Sequence, residues 1–165
     1  MISKLTPFGG YRISVRGKHF LAGVPLKKRN VEGNVDVEQF ENKPIVLYFS
    51  SGWCGQCKTL TPKVKKFYEG LGSRKDEMEV VWISNDKEEA HQMDYYEKMP
   101  DWAYIPFESA SSKKSLSQKF KAEIIPVLKV VNSKGEIISD RARAEIEEFV
   151  KKDPATALDN WKKKI

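Results

Sequence analysis

Residues 44–62 read PIVLYFSSGWCGQCKTLTP and hold both cysteines of the chain, Cys54 and Cys57, two residues apart behind an apolar run. The run 44–50 is rich in β-branched and aromatic residues and is apolar at successive positions. That pattern suits a central parallel strand covered by helices on both faces. Beyond the cysteines, Leu60, Val64, Phe67, Tyr68 and Leu71 follow the i, i+4, i+7, i+8, i+11 spacing of one helix face, so a helix starts near Cys54. A strand therefore delivers Cys54 to a helix N-terminus, where unpaired N–H groups and the positive dipole end stabilise a thiolate. Both sulfurs lie on one face of that helix, close enough to form and exchange a small-ring disulfide.

Position in the motif assigns roles. One sulfur must attack a disulfide, and the other must then resolve the mixed disulfide before the substrate leaves. Cys54, at the start of the helix and nearer solvent, is the candidate nucleophile; Cys57, one turn in, is the candidate resolving thiol. Gln56 offers a first-turn N–H that a proline would lack, and this donor is expected to point at the Cys54 sulfur. Two duller readings stand beside this one. The pair could be half of a zinc site, but the other candidate ligands, His19 and His91, form no second close pair. The cysteines could also be inert buried hydrophobes, although Trp53 and Lys58 beside them suit a reactive thiol better. His91, within a helical pattern near Glu88 and Tyr95, reads as a surface histidine.

Working outward, residues 79–84 (EVVWIS) form a second strand, and Asn85 with Glu88 has the spacing of a capping box opening a helix over 86–99. Residues 100–112 mix prolines, aromatics and serines and read as a loop, followed by a short helix around Leu116 and Phe120. Within that loop Trp102, Tyr104 and Phe107 either line a groove or pin the loop to the core. Residues 124–131 (IIPVLKVV), the turn 132–135 and residues 136–139 form a hairpin, so the sheet is mixed. Ile146, Phe149 and Val150 share a helix face, and Asp153-Pro154 is an N-cap with a first-turn proline for a last helix bearing Leu158 and Trp161. The lysines around that last helix read as a solvated surface complementing the helix dipole. This order of elements is that of a thioredoxin-like α/β fold, a central mixed sheet flanked by helices.

The chain has 165 residues, 40% of them hydrophobic, the size of one domain spanning 1–165 with a continuous core. Its net charge is +6, but 23 acidic residues are interspersed with 29 basic ones, so no nucleic-acid-binding arm is expected. No apolar stretch has the length of a signal peptide or a membrane span, and the chain reads as soluble and cytoplasmic. The lack of an Asn-x-Ser/Thr sequon agrees weakly with that placement. Two cysteines are too few for a disulfide framework.

Three segments carry a closer resemblance: YFSSGWCGQCKTLTPKVKKFYEGL (48–71), VVWISNDKEEAHQMDYYEKMPDWAYIPF (80–107) and LSQKFKAEIIPVLKVVNSKGEIISDRAR (116–143). They resemble the signature blocks of the tryparedoxin and nucleoredoxin branch of the thioredoxin superfamily. The resemblance implies a thioredoxin fold with an N-terminal hairpin, thiol-disulfide oxidoreductase activity, and protein disulfides such as those of peroxiredoxins as substrates. Carried over by residue, Trp53 precedes the nucleophile, Cys54 and Cys57 are the redox pair, Pro62 kinks the active-site helix, and Pro126 is a cis-proline facing the disulfide. Substrate contacts are expected at Trp53, Gly55, Gln56, Ile125 and Pro126, with the Ile125 backbone pairing with an extended substrate. Two departures stand out. Gly55-Gln56 replaces the two prolines of tryparedoxins and the Gly-Pro of thioredoxins. Tyr48 stands where thioredoxin has a buried aspartate, so the Cys57 proton leaves by water or through the tyrosine hydroxyl.

The resulting expectation is a monomeric protein-disulfide reductase that needs no bound cofactor and no metal. A low-molecular-weight thiol or a thioredoxin system supplies its electrons, and neither nucleic acid nor membrane is a partner. The alternative is a thioredoxin-like binding module whose cysteines regulate partner contacts with little turnover. A third reading, an isomerase or oxidant of nascent proteins, would fit better with a secretory signal.

Overall fold

The computed structural model describes residues 19–165. Its strands are β1 (Ile45–Ser50), β2 (Glu79–Ser84), β3 (Ala103–Tyr104), β4 (Val127–Val131) and β5 (Ile137–Ser139). All six residues of β1 are buried, because successive side chains point to opposite faces and both faces are covered. Val46 and Tyr48 pack with Val80 and Trp82 in one apolar cluster, whereas Ile45, Leu47 and Phe49 pack with Val81 and Ile83 in the other. β1 pairs in parallel with β2 and antiparallel with β4. β3 adds in parallel to β2, and β5 adds antiparallel to β4, giving the order β3-β2-β1-β4-β5. This is the mixed sheet expected from the hairpin at residues 124–139.

The α-helices are α1 (Gly55–Gly70), α2 (Glu89–Tyr96), α3 (Ala110–Lys119), α4 (Ala142–Phe149) and α5 (Pro154–Lys162). On the first face, Leu60, Val64 and Phe67 of α1 meet Ile146 of α4 and Leu158 and Trp161 of α5. Tyr68, expected on the same stripe of α1, is only partly buried at its margin. Leu158 is fully buried, a transfer worth about 2–3 kcal/mol. On the second face Leu116 of α3 and Phe120 join Phe40, Leu21 and Leu26 from the segment that precedes β1. Asp153 caps α5 as its sequence indicates: its carboxylate accepts the Ala155 N–H at 3.1 Å, and Pro154 occupies the first turn.

Two expectations change. The Asn85/Glu88 capping box does not form, and α2 starts at Glu89 with no side-chain cap. Asn85 and Asp86 are recruited elsewhere: the Asn85 N–H donates to Ser50 O at 3.1 Å and Asp86 turns to Gly52 and Ser84. The loop 100–112 contains β3, a two-residue strand too short to show a periodicity, paired through Val81↔Ala103 and Trp82↔Tyr104. The outer side of β3 is bridged by Lys27, which exchanges two backbone hydrogen bonds of 2.9 Å with Tyr104. The implied N-terminal hairpin falls in part on residues 1–18, outside the described residues; from residue 19 the segment makes isolated bridges, Lys27 with Tyr104 and Lys28 with Val31. Among the described residues no helix is long and apolar enough to cross a membrane.

Candidate active site

Cys54 is the N-cap residue of α1, with extended backbone (φ −85°, ψ 117°), and its Sγ accepts the Cys57 N–H at 3.2 Å. Sulfur here fills the place that a serine or aspartate oxygen takes at most helix starts. The donor is Cys57 and not Gln56, as read from sequence, because an N-cap side chain folds over the first turn and here reaches the third helical residue. No acidic residue lies in the first turn, so no carboxylate competes for the positive end of the helix. The two sulfurs differ in access: Cys54 exposes 8% of its surface and Cys57 none. Both are free thiols. Burial pushes the Cys57 thiol up to about 12, and its hydrogen bond to Cys54 adds to the rise. Cys57 therefore stays protonated at neutral pH while Cys54 faces the opening. A Cβ placed on Gly55 would meet no atom within 4 Å, so that side of the turn is open.

The turn that carries Cys54 is pinned from β2. Asp86 Oδ1 accepts the Gly52 N–H at 2.9 Å and Oδ2 accepts the Ser84 hydroxyl at 2.7 Å, while the Asp86 N–H returns to Ser84 Oγ at 2.9 Å. The sequence reading does not single out Asp86. Its one signal is an acidic residue two positions past the end of a buried strand, at the end of the sheet where β1 also ends.

Tyr48 is fully buried, and its hydroxyl lies 2.6 Å from Thr61 Oγ1. Thr61 is hydrogen-bonded in turn to the Tyr95 hydroxyl, which donates to the Cys57 carbonyl at 3.3 Å. Burial raises both phenols, Tyr48 well above its ordinary value, so neither ionises at neutral pH. A neutral hydroxyl chain from Tyr48 through Thr61 to Tyr95 thus leads to the Cys57 carbonyl.

The β1–β4 register, with Phe49 opposite Val127, brings Pro126 to the sheet edge where β1 ends and the Cys54 turn begins. The Ile125–Pro126 peptide bond is cis. Trp53, next to Cys54, is 60% exposed, and Ile124, two residues before Pro126, is 88% exposed. A groove of about 290 Å³ beside them is lined by Gly52, Trp53, Lys58, His91, Tyr95 and Lys98, among others. Pro62 lies inside α1 and lines an adjoining groove. His91 is exposed, 3.8 Å from Glu88. Trp102 is buried against Tyr48 and Tyr68, pinning its loop to the core, Tyr104 sits in β3, and Phe107 lines a separate groove with Lys113 over its ring. Among the described residues no three His, Cys, Asp or Glu side chains gather as a metal site would require.

A model of the thioredoxin-like family matches residues 42–137, a span that takes in β1, both cysteines and Pro126. The chain belongs to the thioredoxin-like family. Among its relatives, this thioredoxin-like chain is 38% identical over 130 residues to tryparedoxin of Trypanosoma brucei brucei, covering 78% of this chain and 86% of that protein. It is 35% identical over 134 residues to probable nucleoredoxin 1 of Arabidopsis thaliana, covering 79% of this chain but only 23% of that longer protein. A solved tryparedoxin II complexed with glutathionylspermidine superposes with a TM-score of 0.69 at 30% identity, covering 81% of this chain and 88% of the other. Within the family the chain thus stands with the tryparedoxins and nucleoredoxins, a branch of thiol oxidoreductases.

Proposed function

We propose that this chain reduces protein disulfides by dithiol exchange, with Cys54 as nucleophile and Cys57 as resolving thiol. The observation that carries the reading is the asymmetry of the pair: the Cys54 sulfur caps α1 at the opening, and Cys57 lies fully buried one turn behind it. The Cys54 thiolate attacks one sulfur of a substrate disulfide, the S–S bond breaks, and the first substrate thiolate leaves and takes a proton. Cys57 then loses its proton and attacks Cys54 Sγ, releasing the second substrate thiol and leaving a Cys54–Cys57 disulfide. Two electrons and two protons pass to the substrate.

Trp53, Gly55, Gln56, Ile125 and Pro126 are the substrate contacts in this reading. Exposed Trp53 and the open side of Gly55 support it. The substrates are protein disulfides such as those of peroxiredoxins. The electrons come from a low-molecular-weight thiol or a thioredoxin system, and the glutathionylspermidine complex of tryparedoxin II supports the first source. The protein works as a monomer in a reducing compartment, the cytoplasm. The exposed apolar pair Trp53 and Ile124 also suits a binding module with little turnover, and activity separates the two. Wild type supplied with a dithiol should reduce insulin disulfides, Cys54→Ser should not, and Cys57→Ser should accumulate mixed disulfides with substrate. A binding module would leave insulin intact, and trapping by Cys54→Ser instead of Cys57→Ser would reverse the roles.

A further inference from the structure

Two depressions beside the Cys54 turn share Lys58, Tyr95 and Lys98. The first, about 290 Å³, begins at Gly52 and Trp53; the second, about 340 Å³, continues along α1 past Thr61 and Pro62 to Lys65. Lys58 and Lys65 are two turns apart on α1, so the basic rim extends roughly 10 Å from the active-site turn. None of Lys58, Lys65 and Lys98 forms an ion pair among the described residues, whereas Lys28 and Lys43 meet Glu79, Lys63 meets Glu147 and Lys152 meets Glu148. Two aspartates line the first depression. Asp86 is buried with its oxygens committed to Gly52 and Ser84, which leaves Asp94 as the exposed carboxylate facing the lysines. The second depression has no acidic lining residue. His91, also at the rim, is 3.8 Å from Glu88.

We infer that this trough selects disulfide partners whose reactive cysteine is flanked by an extended acidic segment, an inference that rests on the reductase reading above. The partner's apolar residue would lie on Trp53 while its carboxylates reach Lys58, Lys98 and Lys65. Lysines suit this task because an ammonium on a flexible stem meets a carboxylate without demanding one geometry. Exposed pairs are individually weak, but several acting together raise the encounter rate, and salt screens the gain. An acidic partner should therefore gain on the order of tenfold in rate over a basic one at low salt.

The test uses two cyclic disulfide peptides, identical except that the residues flanking the disulfide are glutamates in one and lysines in the other. Each oxidises the pre-reduced protein in a single turnover, and each rate is divided by that peptide's rate with dithiothreitol, which removes its intrinsic reactivity. The acidic peptide should react about tenfold faster with wild type, the gap should close as salt is raised, and K58E/K98E should favour the basic peptide. The wild-type salt series stands on its own if the double variant is poorly folded. Equal normalised rates at low salt, or an acidic preference that survives salt or K58E/K98E, would overturn the inference while leaving the reductase reading intact. A reduced protein that reacts with neither peptide would overturn that reading as well.

Discussion

Tyr48 and Thr61 are joined by a 2.6 Å hydrogen bond between β1 and α1, and the same threonine hydroxyl bonds Tyr95 from α2. One small side chain thus satisfies two buried phenols and ties three elements together behind Cys57. Thr61→Val keeps the shape but leaves the Tyr48 hydroxyl without this partner, and an unsatisfied buried polar group costs about 1–3 kcal/mol. Urea denaturation should show a loss of that size, largely restored in Thr61→Ser. Unchanged stability in the valine variant would show that the chain of hydroxyls contributes nothing.

Asp86 should act on the active-site turn from a distance. Asp86→Ala removes the acceptors of the Gly52 N–H and the Ser84 hydroxyl, hydrogen bonds to a charged group worth about 1.5–3 kcal/mol each. We expect lower stability and slower disulfide reduction, with Asp86→Asn recovering part of both because its amide oxygen can still accept from Gly52. If alanine lowers neither stability nor the rate of disulfide reduction, the turn is held by other contacts.

The reduced protein should lose stability in alkali. Cys57 is raised from 9.0 to about 12 and Tyr68 from 10.0 to about 12, both chiefly by burial. Tyr48, Tyr95 and Tyr96 are raised for the same reason. A raised folded-state value means that the folded protein holds the proton more tightly than the unfolded chain. Its contribution is complete below about pH 9 and fades as pH rises towards 12. Denaturation of reduced wild type and of Cys57→Ser across this interval should give a shallower decline in the serine variant, whose side chain does not titrate. Parallel declines would assign the whole effect to the tyrosines.

Gln56→Pro should change little. The N–H that caps the Cys54 sulfur belongs to Cys57, and proline is tolerated in a first helical turn. Equilibration against a glutathione redox buffer should move the potential by less than roughly 30 mV, a tenfold change in the exchange constant. A larger move towards a more reducing couple would mean that the Gln56 N–H does serve the sulfur, as the motif alone leads one to expect.

The elements read most directly from sequence are those whose signal is local. β1 and β2 are continuous apolar runs, α1 repeats its apolar face over Leu60, Val64 and Phe67, and Asp153-Pro154 announces α5. Cys54 and Cys57 are equally local, since three residues on one helix turn bring them together whatever surrounds them. The spacing of Asn85 and Glu88 is local too, yet it misleads, because the Asn85 N–H that a capping box would satisfy is already committed to Ser50 O and α2 starts only at Glu89.

The sequence by itself determined the strand–cysteine–helix unit, the order of the major elements and the closeness of the two cysteines, because hydrophobic periodicity and capping act over a few residues. Tertiary structure alone decided the rest. It brought Asp86 to Gly52 and Tyr95 to Thr61, each pair 34 residues apart, recruited the two-residue β3, and set Lys98 of the α2 end beside Lys58 of α1. Such contacts have no period to read: they exist only once both faces of the sheet are covered and distant segments meet, where burial makes a missing hydrogen-bond partner costly.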